Sequence, residues 1–298
     1  MTNAVPEISV GLPVYNGEPF LRDALESILN QSYQNFEIII SDNNSSDQTP
    51  IIIKEYCDKD KRIRPFFSNE NKGASWNYNK VFQESRGKYF CWLAHDDIID
   101  KDYLSELRKV LESDPSIVLA FSRVIKIDDK GKELFEFREK LDVGSWKPSL
   151  RFQDLIQLNH SCLQIFGLMR SEVLKKTSLI GTYVASDRVL LAHLSLLGRF
   201  YEHYRILFCH REHNLRSTKK ITSLHKRLIW FDTTKKNKIS FPHWKLFGEY
   251  SKSIMTRSIG KREKVKSSWY LSIWFFAHLK YLFHDCIDVF FIIKDNTR

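Results

Sequence analysis

Four short apolar runs, at Ile8–Val14, Phe36–Ile40, Ile63–Phe67 and Lys88–Ala94, punctuate the first hundred residues. Between them lie segments with apolar residues at helical spacing: Phe20–Leu29, Ile51–Tyr56 and Gly73–Ser85. Strands alternating with helices predict βαβ units and a mainly parallel sheet. Ligands of such sheets bind beyond the carboxyl ends of the strands. Three polar clusters fall at such ends: "YNG" (15–17), "SDNNSSD" (41–47) and "HDD" (95–97). Their coincidence says more than any one of them. In the last, two adjacent carboxylates repel each other. Either they face water and cap a turn, or a positive species belongs between them.

The later part is less regular. Ile117–Ile127 reads as a strand and "DDKGKE" as a hairpin-like turn. Ser186–Leu197 has helical spacing, with Ser186 placed as its N-cap. Phe200–Phe208 reads as strand again, and region 130–185 is hard to read. The five cysteines (Cys57, Cys91, Cys162, Cys209, Cys286) are scattered and never form C-x-x-C. That argues against a disulfide framework or a zinc cage and fits a reducing cytosol. The stretch "MTNAVPEISV" lacks a basic segment followed by an apolar one, so no signal peptide is expected.

Charge divides the chain. Residues 1–210 hold 27 Lys+Arg against 29 Asp+Glu, a net −2, whereas 211–298 hold 19 against 7, a net +12. We therefore divide the chain into a domain at 1–222 and a basic, aromatic, helical extension at 223–298. A basic tail suits an anionic surface. Its Trp and Phe content favours an interface over nucleic acid. Trp269–Ile293 is apolar but interrupted by His278, Lys280, His284, Asp285 and Asp288, so no clean span of about 20 apolar residues exists. Lys280, His284 and Asp288 recur every four residues on one helical face, with Trp274, Phe275, Leu282 and Phe283 opposite. Two readings follow. The helix lies on the inner face of a membrane, or it packs on its own domain or a second subunit.

The segments "ISVGLPVYNGEPFLRDALESILNQSYQNFEIIISDNNSSDQT" and "NENKGASWNYNKVFQESRGKYFCWLAHDD" resemble the nucleotide-binding half of family-2 glycosyltransferases. The resemblance covers roughly residues 7–220. It implies a GT-A-like, Rossmann-type α/β fold and sugar transfer from a nucleoside diphosphate donor, with inversion and with Mg²⁺ or Mn²⁺. Asp42 takes the position that accepts a hydrogen bond from the base, commonly uracil, and Pro13, Tyr15 and Asn16 line that pocket. The alternative for Asp42 is an Asx-turn ending the strand. Ala94 replaces the first acid of the family's D-x-D-D-type strand end, leaving Asp96 and Asp97. One of these two is expected to ligate the cation, with His95 a structural or substrate-contact residue. Oxygen-rich, partly hydrated sites suit these metals. Asp187 takes the position of the catalytic base, and the alternative is an acid favoured by a helix dipole, which would keep it ionised. His213 resembles a position that completes the metal or diphosphate site, with Arg211 and Arg216 offered to phosphate.

The resulting expectation is an inverting, cation-dependent transferase. Its donor is a nucleotide sugar (UDP-linked by default), and its acceptor is a glycan or lipid-linked hydroxyl in cell-surface polysaccharide synthesis. It would be cytoplasmic and peripheral at the inner membrane face. A non-catalytic membrane scaffold that kept the fold is the alternative. A sugar nucleotidyltransferase would want a glycine-rich basic loop after the first strand, and "PVYNGEP" has one glycine and no base.

Overall fold

The structure, a computed structural model, describes residues 5–296 apart from positions 222, 237, 239 and 257, with the side chains of 218 and 288–296 also outside the description. The first half alternates as its pattern dictates: β1 (Ile8–Val14), α1 (Leu21–Leu29), β2 (Phe36–Asp42), α2 (Thr49–Lys59), β3 (Ile63–Phe67), α3 (Ala74–Gln83) and β4 (Tyr89–Trp92). β3, β2, β1 and β4 lie side by side, all parallel. Both faces are covered, which is why the runs read as continuously apolar. Ile8, Val10, Leu12 and Val14 of β1 pack with α1 and α2, whereas Phe90 and Trp92 of β4 point to the other face, toward Val81 and Phe82 of α3.

The second half is mixed. β5 (Ile98–Ile99) and α4 (Tyr103–Ser113) lead to β6 (Ile117–Ile127), which turns back as β7 (Glu133–Phe137). α5 (Pro148–Gln157), β8 (Leu168–Arg170), α6 (Ser171–Leu174), α7 (Ser186–Leu197) and β9 (Arg199–Arg211) follow. Three-residue β8 joins the halves by pairing antiparallel with both β4 and β6. β9 runs parallel to β6 and antiparallel to β5, setting Ile98 opposite Cys209. That register carries the residues after β9 to the acids just before β5. The mainly parallel α/β fold with flanking helices and a helical C-terminal extension is the architecture expected.

Two local expectations are corrected. Ser186 is not the N-cap of α7: Ala185, at φ 62°, precedes the helix, and Ser186 is buried inside its first turn. The single helix expected over Trp269–Ile293 is two, α11 (Lys261–Ala277) and α12 (Leu279–Asn296). They break at His278, whose ring takes the Trp274 carbonyl at 2.8 Å and stacks on its indole.

The extension packs on the rest of the chain. After the short α8 (Ser217–Lys220), α9 (Leu224–Phe231) lies over the start of α3, where Gly73 has φ 88° and a Cβ would meet the Phe231 carbonyl at 2.6 Å. A side chain there would both strain the backbone and collide. α10 (Pro242–Thr256) and α11 form a third core with α5 and α7, built from Phe152, Ile156, Val189, Tyr250, Ile254, Leu271 and Trp274. Burying residues such as Ile254 and Leu271 stabilises by about 1.5–3 kcal/mol each. Trp274 and Leu282, expected on an outward apolar face, are buried inside the protein, and Lys280 and His284 are exposed. Asp288 has its side chain outside the described residues. Buried Asp285 of α12 accepts the His243 and Trp244 backbone N–H groups at the start of α10. Its charge there offsets the orphan donors of that helix end.

Candidate functional site

The loops after β1 and β2 are zipped together. The Asn16 backbone N–H donates to Ser45 Oγ at 2.8 Å, and Asn16 Oδ1 accepts from the Ser46 N–H at 2.9 Å. Thr49 Oγ1 accepts from the Gly17 N–H. Asn16 holds φ 51°, a region Asn tolerates. Gly17 permits a close approach, since a Cβ there would meet the His95 ring at 2.8 Å. The "YNG" and "HDD" clusters therefore touch. Pro13 lies within β1, and Tyr15 is exposed just after it.

Asp42 ends β2 and is buried. Its carboxylate accepts from the backbone N–H of Ser45 at 3.2 Å and from the hydroxyl of the same residue. Burial pushes its pKa up, and the Ser45 bonds offset only part. The turn reading is thus real geometry, and it also fixes the carboxylate beside the zipped loops. Asn43 is used internally, donating to Asn71 Oδ1 and the Gly73 carbonyl and accepting from the Lys72 N–H.

The two acids after β4 differ. Asp97 has both oxygens committed: Oδ1 accepts the Arg211 N–H at 2.9 Å, and His210 Nδ1 lies 3.0 Å from Oδ1 and 3.2 Å from Oδ2. It fastens the end of β9. Asp96 turns the other way and meets His213 Nε2 at 2.8 Å. Burial would raise Asp96, but the His213 hydrogen bond and the neighbouring histidines outweigh it and hold the carboxyl well below its usual range. The Leu215 N–H points at His213 Nδ1 (3.2 Å), so Nε2 carries the proton. The Phe20 ring packs on the same imidazole, 4.5 Å between centroids.

Arg211, expected at phosphate, is instead turned inward. It is 1% exposed and holds the carbonyls of Asp96 and Asp129 and the carboxylate of Asp23. A guanidinium this buried, with most of its five donors tying two loops to α1, is not turned toward a diphosphate. Arg216 is paired with Glu212.

Asp187 stands in the first turn of α7. The dipole reading expected it to be held ionised. Burial wins instead and raises its pKa, with the Arg188 N–H bond (2.8 Å) offsetting part. Arg188 reaches back to the carbonyls of Leu158 and His160, so the helix start is anchored to the segment after α5.

One residue not singled out from the sequence links the two regions. Burial raises the Tyr78 hydroxyl, and the charges of Asp96, Asp97 and Asp187 raise it further. All three carboxylates thus act on one tyrosine of α3. Its place in a helical stretch without a motif gave no signal.

The donor set fits a divalent cation in part. Asp96 offers an oxygen ligand, and His213 would offer Nε2 only on giving up the proton it donates to Asp96. Asp97 does not fit, because its oxygens already have donors. Among the described residues no group of three or more His, Cys, Asp or Glu is arranged to cage an ion. A cation here would complete its shell with phosphate oxygens and water, as Mg²⁺ and Mn²⁺ commonly do.

The family model described as Glycosyl transferase family 2 matches residues 9–177. An uncharacterized glycosyltransferase of Rickettsia typhi is 29% identical over 224 residues, 72% of this chain and 66% of its own length. TuaG of Bacillus subtilis, named for teichuronic acid biosynthesis, is 38% identical over 106 residues, 36% of this chain and 42% of its own. The chain thus spans less than two thirds of the length of either relative. Among solved structures, Staphylococcus aureus TarS in complex with UDP-GlcNAc superposes with a TM-score of 0.67 at 14% identity, covering 90% of this chain and 72% of that one. That likeness is one of fold. The family match covers more than half of the chain, and by it this protein is a member of glycosyl transferase family 2.

Proposed function

We propose that the protein transfers a sugar, with inversion, from a nucleoside diphosphate sugar to a hydroxyl of a glycan or lipid-linked acceptor in cell-surface polysaccharide synthesis. The observation that carries this is the family match over residues 9–177 together with two carboxylates in different surroundings: Asp96, 2.8 Å from His213 and held ionised, and Asp187, pushed up by burial. Paired acids driven apart in pKa mark separate chemical roles. UDP is the default donor base, supported by the family and by the TarS complex with UDP-GlcNAc. TuaG supports the polysaccharide assignment.

In this reading Asp42 accepts from the base, with Pro13, Tyr15 and Asn16 beside it. Asp96 would hold the divalent cation, and His213 would join it once its Nε2 proton is released. When bound, Mg²⁺ or Mn²⁺ supplies Lewis-acid stabilisation of the departing diphosphate. Asp187 receives the acceptor hydroxyl's proton as that oxygen bonds to the anomeric carbon. The bond from that carbon to the diphosphate oxygen breaks on the opposite face, and its electron pair leaves with the diphosphate. A half-buried carboxylate with a raised pKa is a stronger base than one in water, and a positioned general base contributes about 10²–10⁴-fold. Asp97, Arg211 and His210 orient the acids.

The test is thermal stabilisation by UDP- and GDP-sugars, with and without Mn²⁺. Stabilisation by one nucleotide class that needs the cation supports the reading. No response to any nucleotide sugar would favour the non-catalytic scaffold.

A further inference from the structure

We propose that the outward face of α11 docks on an anionic lipid surface. The helix has two apolar faces. Ser267, Leu271 and Trp274 point inward and are covered by α5, α7 and α10. Val265, Trp269, Ile273 and Phe276 recur at i, i+4, i+8 and i+11, which sets them on one face opposite the buried one. They are 70%, 65%, 41% and 71% exposed. α12 repeats the pattern with Leu279, Phe283 and Ile287, all exposed. Single exposed apolar residues are ordinary, but a row of large ones along a helix marks an interaction surface.

Charge chooses the occupant. Lys261 and Arg262 are exposed in the first turn of α11, and the chain from 211 onward carries a net +12. Trp and Phe inserted at headgroup depth with Lys and Arg beside them is the chemistry of an interfacial helix on anionic lipid. A second copy would bring an equally positive tail against the first, whereas anionic headgroups neutralise it. No described helix is long and apolar enough to cross a bilayer, so this face would lie on the surface. Of the apolar face expected from the sequence, Phe283 is exposed, whereas Trp274 and Leu282 are buried. The inference is independent of the transfer reading.

The experiment is flotation of the full chain with vesicles of phosphatidylglycerol in phosphatidylcholine, and of phosphatidylcholine alone. Binding should require the anionic lipid and weaken with salt. The double variant Trp269→Ser, Phe276→Ser should lower partitioning by about tenfold or more, because binding scales with buried apolar area. Lys261→Gln and Arg262→Gln should each lower it by about fivefold. All four side chains are exposed, so melting temperatures should be unchanged, which separates lost docking from lost folding. The proposal is overturned by absence of binding to anionic vesicles at low salt. It is equally overturned by binding that ignores the Trp269/Phe276 variant, or by a dimer in sedimentation velocity that this variant dissociates.

Discussion

Asp96 and Asp187 have the same side chain and act on the same tyrosine, yet their surroundings push them in opposite directions. Asp96 follows a strand and faces His213, with His95 and His210 near, and the His213 hydrogen bond and these neighbours overcome its burial. Asp187 starts a helix, where burial dominates and the Arg188 N–H only softens it. The strand-end region is built to hold negative charge against positive partners. The helix-start region makes a carboxylate eager for a proton. In the proposed function donor binding falls to the first and proton removal to the second.

The largest effect that can break this contrast is on rate. Asp187→Asn should lower kcat by roughly 10²–10⁴-fold while nucleotide affinity stays near normal. Nucleoside diphosphate release with acceptor present measures it. A near-normal kcat would remove Asp187 from the mechanism.

Next come the adjacent acids. Asp96→Asn should abolish cation-dependent donor binding without moving β9. Asp97→Asn should instead loosen His210 and the Arg211 backbone, costing stability of about 1–3 kcal/mol. Its effect on cation affinity, acting through orientation, should be about 10–100-fold. Equal loss of binding with equal stability in both variants would erase the distinction.

A subtler difference appears with pH. The acid limb of kcat/KM should lie above the ordinary aspartate range of about 4, because Asp187 must be ionised to act and its pKa is raised. Asp96, held low, should contribute no limb in that region.

The smallest effect is on melting. A folded-state pKa above the unfolded value means the folded chain binds the proton more tightly. Stability from that group is therefore present at low pH and lost as pH rises through the folded pKa. Ionised Asp187 costs stability at neutral pH, so Asp187→Asn should raise Tm there, by about 2–4 °C for each kcal/mol relieved. The gain should vanish in acid. A Tm gain that persists at low pH would point to packing instead.

Much of the first half was legible because local period and burial agree. β1 to β4 and their helices fall where the apolar runs and helical spacings lie, within a few residues at their ends. The acids at strand ends were legible for the same reason. What was not legible depends on partners far along the chain. Asp97 looks equivalent to Asp96 until β5 pairs with β9 and brings His210 and Arg211, more than a hundred residues on, to its oxygens. Arg211 reads as a loop cation offered to phosphate, but Asp23 and two loop carbonyls surround it. Region 130–185 hides β8, whose three residues are too few to show a period. The sign of the Asp187 shift was missed because a helix dipole can be read from sequence and desolvation cannot.

The most direct test of the central claim is calorimetric titration of UDP in Mn²⁺ against wild type, Asp96→Asn and Asp187→Asn side by side. Asp187→Asn should bind as wild type does, and Asp96→Asn should lose binding. Loss of binding in Asp187→Asn with retention in Asp96→Asn would contradict it.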